Sequence, residues 1–210
     1  MYKRMNEQLQ KEGAMALVTG ASSGIGLAYA RELARRGYDL LLVSNEQEQI
    51  GTVAEELAAA FGVKTIPLCM DLARSEAARE LYEYCEREKL QIGILVNNAG
   101  IFFFDDLTEV APERIETMLL LHIRTVTLLC RYFGAAMKRR RAGYILNMSS
   151  LSAWTPAPGI SVYAASKSYI RKFSQMLRYE LHQYGVGVTT VCPGAIATGL
   201  YNLSDYYQRL

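Results

Sequence analysis

The run Ala14-Met15-Ala16-Leu17-Val18-Thr19-Gly20-Ala21-Ser22-Ser23-Gly24-Ile25-Gly26 changes character at its midpoint. Ala14 to Val18 is continuously apolar, the pattern of a strand buried on both faces, as in parallel sheets. Gly20, Gly24 and Gly26 then punctuate small polar residues, and Leu27 to Arg36 follows at helical period until Gly37 stops it. Glycines between a strand and a helix let the backbone approach a ligand closely, and the first amides of the helix attract anions. The glycine spacing alone is a weak signal. Its position between a strand and a helix makes it a phosphate site.

The alternation continues outward from this unit. Tyr38 to Ser44 reads as a second strand, Glu46 to Phe61 as a helix closed by Gly62, and Lys64 to Met70 as a third strand. A charged helix, Arg74 to Lys89, precedes a fourth strand at Ile92 to Asn97. Pro112 suits the first position of a long helix that reaches the region of Arg139. Tyr144 to Met148 is a fifth strand. A helix then begins near Val162, with Ile170, Phe173, Leu177, Leu181 and Tyr184 as its apolar stripe. Gly185 ends it, and Val186 to Val191 is a sixth strand. No linker or repeat interrupts the series, so residues 1–210 read as a single domain. The fold class is α/β, a doubly wound, Rossmann-type parallel sheet with helices on both faces. In such sheets ligands bind at the carboxyl ends of the strands. Thr19 to Gly26, Ser44-Asn45, Asp71, Asn97 to Gly100, Ser149-Ser150 and Pro193-Gly194 all fall there. Any one of these is an ordinary turn; together on one edge they read as a site.

Composition narrows the function classes. Of 210 residues, 50% are hydrophobic and 21% charged, as in an ordinary globular protein. A net charge of +2 favours neither nucleic acid nor a membrane surface as partner. The basic run Lys138-Arg139-Arg140-Arg141 closes a helical pattern, where cations complement the carbonyl end. Cys69, Cys85, Cys130 and Cys192 are scattered and histidines number two, so no metal-ligand spacing is present and no metal is expected. Reduced thiols, an opening without a signal-peptide pattern, and the lack of a membrane-spanning apolar run together suggest a cytoplasmic location.

The chemistry centres on Tyr163-Ala164-Ala165-Ser166-Lys167. On a helix this spacing puts the phenol and the ammonium on one face, one turn apart. A nearby cation favours the phenolate and makes the tyrosine a better proton donor near neutrality. Ser150, at the end of strand five, has a hydroxyl suited to hold a carbonyl oxygen within reach of that phenol. Tyr-x-x-x-Lys alone also arises by chance on exposed helices. The surrounding cofactor-like site gives the triple its weight.

On Thr19-Gly-Ala-Ser-Ser-Gly-Ile-Gly26, Asn97-Asn-Ala-Gly100, Ser150, Tyr163-Ala-Ala-Ser-Lys167 and Pro193-Gly-Ala-Ile-Ala-Thr198, the chain resembles the short-chain dehydrogenase/reductase family, in its commonest subtype. The resemblance covers Ala14 to the region of Thr198. It implies an NAD(P)-dependent oxidoreductase that moves a hydride between the nicotinamide and a ketone/secondary-alcohol pair. Tyr163 would be the proton donor or acceptor, Ser150 would orient the substrate oxygen, and Lys167 would lower the tyrosine pKa and hold the nicotinamide ribose. Cofactor contacts would come from Gly20, Ser22, Ser23, Gly24, Ile25 and Gly26, then Ser44 and Asn45, then Asp71 and Leu72. Asn98, Ala99, Gly100, Pro193, Gly194, Ile196 and Thr198 would line the rest of the nucleotide. A homodimer or homotetramer paired through the long helix and the Tyr163 helix is also implied.

Two departures from the family pattern stand out. His122 occupies the place of an asparagine that, in relatives, helps hold a water feeding protons to the lysine. It reads either as a modified relay or as a histidine satisfied by backbone in a helix core. The sequence also stops at Leu210, where relatives continue through a substrate-covering helix and a strand; the C-terminal elements read as short or absent, either because the sequence is part of a longer chain or because the pocket is unusually open. The main alternative function is a non-catalytic NAD(P)-binding regulatory or structural protein; a nucleotide-sugar epimerase or dehydratase fits less well. Phe102-Phe103-Phe104, Trp154, Tyr201, Tyr206 and Tyr207 either line an apolar pocket for a bulky ketone or fill space between elements.

Cofactor choice turns on the end of strand two. An acid there would accept from the adenosine ribose and repel a 2′-phosphate, selecting NAD. Ser44 and Asn45 carry no such repulsion and can donate, so NADP(H) is favoured over NAD(H). The arginine of many NADP-dependent relatives is missing at Asn45, and Glu46 follows, so the discrimination expected is modest.

Overall fold

A computed structural model describes Leu9, residues 13–155, residues 157–196 and Leu200. The strands are β1 (Met15–Thr19), β2 (Leu40–Ser44), β3 (Thr65–Cys69), β4 (Ile92–Asn97), β5 (Gly143–Met148) and β6 (Val186–Val191). All pair in parallel, in the order β3-β2-β1-β4-β5-β6. Strand order reverses between β1 and β4, which opens a crevice at their carboxyl ends. Pro67 lies on β3, whose one partner is β2, so its missing N–H costs no ladder bond in the sheet centre.

Because side chains alternate along a strand, the sheet divides the core in two. Met15 and Leu17 of β1 face α3 (Ala77–Arg87), α5 (Val126–Arg140) and the end of α6 (Ser161–His182). Ala16 and Val18 face α1 (Gly24–Arg35) and α2 (Gln47–Phe61). Both faces are covered, which explains why β1 and β2 are buried at every position.

The long helix expected from Pro112 is broken by its own geometry. α4 (Pro112–Leu119) runs into a π-helical segment, Leu120–Thr125, before α5 begins at Val126. Periodicity does not reveal such a segment, because one widened turn hardly disturbs an apolar stripe. π segments occur often at functional sites, and this one carries His122, which is 0% exposed.

The turn after β1 is stitched directly to the loop after β4. Gly20 (φ 63°) and Gly24 (φ 54°) adopt left-handed conformations that side chains avoid. A Cβ at Gly20 would lie 2.9 Å from Ala99 Cα, and one at Gly26 only 2.0 Å from Gly20 O. Thr19 Oγ1 accepts from the amides of Asn98 and Ala99, each at 3.0 Å. Asn98 Nδ2 returns two bonds, to Thr19 O at 3.1 Å and Gly20 O at 3.2 Å. The Asn98 side chain therefore shapes the crevice by holding its two lips together.

Two glycine substitutions should separate close packing from ordinary helix propensity. Gly26→Ala should lower the stability to denaturant by about 3 kcal/mol, since the backbone oxygen it meets cannot rotate away. Gly51→Ala in α2 meets nothing within 4 Å and should raise it by about 0.5–1 kcal/mol. Equal responses from the two variants would contradict this packing.

Candidate active site

A cavity of ≈ 670 Å³ runs along the carboxyl ends of β1, β2, β4 and β5. Gly20, Ser22, Ser23, Gly24 and Ile25 form its floor, and Ser44, Asn45, Asp71 and Leu72 close one end. Asn98, Ala99 and Gly100 line its middle; Tyr163, Lys167 and Pro193 stand at the other end. Gly26 lies behind the floor and acts through Gly20. Gly194 packs toward Leu151, with room for a Cβ at 3.4 Å, and Ile196 is exposed; neither forms part of the cavity wall. Thr198 lies outside the described residues, as do Tyr201, Tyr206 and Tyr207.

The floor suits an anion. Ser23 caps α1 without a side-chain bond to the helix, so the first amides of α1 keep their N–H groups for a ligand. At the β2 end the hydroxyls are already engaged. Ser44 Oγ donates to Ser22 Oγ at 2.9 Å and accepts from Glu46 N at 3.1 Å. That leaves the Ser22 proton, the Ser23 hydroxyl and the exposed Asn45 amide as donors, rather than Ser44 itself. Asp71 accepts from Ala73 N at 2.9 Å, which orients its carboxylate within the loop.

At the opposite end, α6 begins one residue before Val162, so Tyr163 and Lys167 occupy its first two turns on the inner face. They are 3% and 4% exposed. Lys167 Nζ lies 5.4 Å from the Tyr163 ring centre and donates to Met148 O at 3.1 Å. Burial pulls the lysine from its ordinary value of 10.5 down to about 8. Ser149 Oγ donates to Lys167 O at 2.7 Å, tying this turn to the end of β5. Ser150 is buried and extended, and its Oγ accepts from Ser152 N at 3.2 Å, which leaves its own proton to donate. One Lys167 N–H is used by Met148 and the others remain for a hydroxyl-bearing ligand in the cavity.

His122 resolves in favour of the satisfied core histidine. Its Nε2 accepts from Ile101 N at 3.0 Å, and its Nδ1 lies 2.9 Å from Ser166 Oγ. Burial, with the Lys167 charge as a second cause, pushes its pKa well below 6.5. A Cβ at Gly100 would stand 3.0 Å from His122 Nε2, so this glycine is required by close approach. With both ring nitrogens occupied by protein groups, the imidazole does not serve as a water-holding relay.

The aromatic residues divide. Phe103 is buried with Val110, Met118 and Tyr163 and is core, and Phe104 packs on Gly159. Phe102 meets the Tyr163 ring edge-on at 5.0 Å and stays partly exposed. Trp154 sits at the surface under Arg171, whose guanidinium carbon is 4.3 Å from its ring centre. Sequence reading quoted Thr19, Ser149 and Ser166 within motifs at the site but gave none of them a role of its own; their hydrogen bonds supply it. Among the described residues no cluster of His, Cys, Asp and Glu is placed to hold a metal, and no helix is long and apolar enough to cross a membrane.

Burying the Lys167 charge should be visible in stability. A drop from 10.5 to about 8 corresponds to roughly 3 kcal/mol at neutral pH, against about 1 kcal/mol for the bond to Met148 O. Between about pH 8 and 10.5 the unfolded chain binds the extra proton, so the stability of the parent protein rises with pH across that window. Lys167→Met should therefore be the more stable protein at pH 7, by roughly 2 kcal/mol, with the advantage fading toward pH 10.5. Denaturant melts at both pH values check this; a variant destabilised at pH 7 would contradict it.

The comparisons agree with this geometry. A family model described as short chain dehydrogenase matches residues 14–205. The chain is 36% identical to very-long-chain 3-oxoacyl-CoA reductase from Anas platyrhynchos, covering 91% of this chain and 62% of that protein. It is 32% identical to the human protein named inactive hydroxysteroid dehydrogenase-like protein 1, over 96% of this chain and 61% of the relative. The chain thus spans about three fifths of the length of these curated relatives. Among solved structures, a short-chain dehydrogenase from Sphingobium yanoikuyae in complex with NADPH superposes with a TM-score of 0.86 at 33% identity, covering 91% of this chain and 75% of that one. A bulky-bulky ketone specific alcohol dehydrogenase from Comamonas testosteroni gives 0.82 at 32% identity, over 87% and 73%. With its family model matched over nearly the whole chain, this protein belongs to the short-chain dehydrogenase family.

Proposed function

We propose that the protein is an NADP(H)-dependent oxidoreductase acting on a ketone/secondary-alcohol pair. The observation that carries this reading is the buried Tyr163–Lys167 pair at one end of a cavity whose other end offers the neutral donors Ser22, Ser23 and Asn45. The cavity fits a dinucleotide. Its floor is glycine backbone with free helix amides, its size is ≈ 670 Å³, and its far wall presents an ammonium with donors to spare.

A bound nicotinamide supplies or accepts the hydride. The chain's residues handle the oxygen. Ser150, whose hydroxyl proton is uncommitted, donates to the substrate oxygen as negative charge develops there. The Tyr163 phenol delivers its proton to the same oxygen, and in the reverse direction takes it back. The Lys167 ammonium holds the ribose hydroxyls and stabilises negative charge on the phenol oxygen. Burial of both groups keeps bulk water from competing with these contacts.

NADP(H) is favoured because no acid stands at the end of β2, and Ser22, Ser23 and Asn45 offer neutral donors to a 2′-phosphate. The NADPH-bound relative supports the same choice. Glu46 lines the same end of the cavity, so the preference is modest. An apolar, bulky carbonyl substrate is favoured by Phe102 beside Tyr163 and by relatives whose names specify bulky ketones and long-chain 3-oxoacyl groups. We further propose a homodimer or homotetramer paired through α5 and α6, where Tyr169, Met176 and Tyr179 remain exposed on α6. A cytoplasmic location is consistent with four free thiols at Cys69, Cys85, Cys130 and Cys192. A fold retained for cofactor binding alone is the second reading, since some relatives are named inactive. A pure binder has no need of Ser150 with its uncommitted hydroxyl proton.

Tyr163→Phe should lower turnover by at least about 100-fold, the contribution typical of a general acid, while cofactor affinity stays within about twofold. Near-normal reduction of a ketone by this variant would remove the assignment. In a fluorescence titration at one ionic strength, NADPH should bind up to about tenfold more tightly than NADH, on the order of one hydrogen-bonded contact. Tighter binding of NADH would show that Ser22, Ser23 and Asn45 do not suffice for the phosphate.

A further inference from the structure

Two hydrogen bonds meet at His122 and a third continues from Ser166, and together they leave the imidazole proton one place to be. Ser166 Oγ lies 2.7 Å from Tyr163 O, a carbonyl that can only accept, so the single Ser166 proton is used there. The contact between Ser166 Oγ and His122 Nδ1 must then be made by a proton on Nδ1. Independently, Ile101 N–H points its proton at Nε2, which must therefore present a lone pair. Both ends demand the same neutral imidazole, with hydrogen on Nδ1 and none on Nε2.

This ring joins three separate parts of the site. Ile101 follows Gly100 in the loop after β4, whose residues line the cavity; His122 lies in the π-helical segment; Ser166 belongs to α6. The carbonyl reached through Ser166 is that of Tyr163, which in helical geometry also accepts from the Lys167 amide one turn on. The chain of bonds thus ends on the peptide turn that carries both reactive side chains. The His122 and Tyr163 rings also meet edge-on, with centres 5.9 Å apart.

We propose that His122 is a positioning residue: through Ser166 it fixes the Tyr163–Lys167 turn of α6 against the cavity loop held by Ile101. The proposal rests on Tyr163 being the proton donor, and it assigns His122 no contact with substrate or cofactor. The π-helical segment is part of the device, since it is the backbone that brings a buried ring between the loop and α6. The imidazole, a ring with a nitrogen at each edge, spans that gap without water.

Two half-replacements separate its links. An asparagine amide nitrogen takes the place of Nδ1 and can still donate to Ser166, but cannot reach Ile101. A glutamine amide takes the place of Nε2 and can accept from Ile101, but loses Ser166. Because each variant keeps only one end of the bridge, we expect His122→Asn and His122→Gln both to lose about tenfold or more in kcat with the cofactor KM little changed. Ser166→Ala, a smaller change, should match His122→Gln, and the two combined should be no worse than either alone. In parallel, Lys167 titration followed by NMR should read about 8 in the parent and move toward 10.5 in both variants as that turn loosens. Parent-like kcat with parent-like Lys167 titration in either half-replacement would overturn the proposal, as would NMR showing the proton on Nε2. If the parent protein reduces no ketone, the enzyme reading fails instead, and the Lys167 titrations and the imidazole tautomer decide the positioning role by themselves.

Discussion

An ammonium group held almost wholly out of water, at Lys167, is the constraint to which the surrounding site is fitted. An unpaired buried charge is costly, and among the described residues no carboxylate is bonded to this one. Its neighbours make it tolerable by other means: the Met148 carbonyl accepts one of its protons, and Ser149 binds the peptide of the same residue. The nearby imidazole of His122 stays neutral, so no second cation is added. The depressed pKa of the lysine measures what remains uncompensated. A ligand that brings hydroxyl oxygens to the remaining N–H groups would recover part of that cost, so the same burial that destabilises the free protein favours the complex.

The rest of the fold divides the work between a rigid frame and an open edge. Both faces of the sheet are covered, and the turn after β1 is locked to the loop after β4 through Thr19, Gly20 and Asn98. That lock spends polar side chains which would otherwise face a ligand. What it leaves for the ligand is backbone, namely the amides at the start of α1 and the bare surface of Gly20 and Gly24. At the other end, the Tyr163–Lys167 turn is held from below by Ser149 and from the side by Ser166 and His122. The reactive pair is thereby placed by contacts from β5, α6 and the π-helical segment rather than by the helix alone.

The order of elements was legible because β1, β2 and β4 are almost continuously apolar runs ended by glycine or polar residues, and β4 and β6 fall where the sequence places them. The site was legible for a related reason: residues such as Gly20, Asp71 and Lys167 follow strands that the topology brings to one edge. Three features were hidden. The π-helical segment leaves the apolar stripe intact, so Leu120 to Thr125 read as ordinary helix. The pairing of Ser44 with Ser22 joins residues from two different loops, and no local pattern states which serine keeps its proton. His122 was left open because its role depends on Ile101 and Ser166, which are distant in sequence and each meet one ring nitrogen.

Transfer of deuterium tests the central claim most directly. In separate reactions the protein is incubated with NADPH labelled with deuterium on one face or on the other of the nicotinamide C4, together with a bulky ketone, and the alcohol is examined by mass spectrometry and NMR. The Tyr163–Lys167 pair at the end of the nucleotide cavity predicts the label on the carbinol carbon, delivered from one face of the ring only. Tight binding of NADPH with no label reaching any ketone offered would contradict it, and would leave a nucleotide-binding protein that keeps its reactive residues without using them.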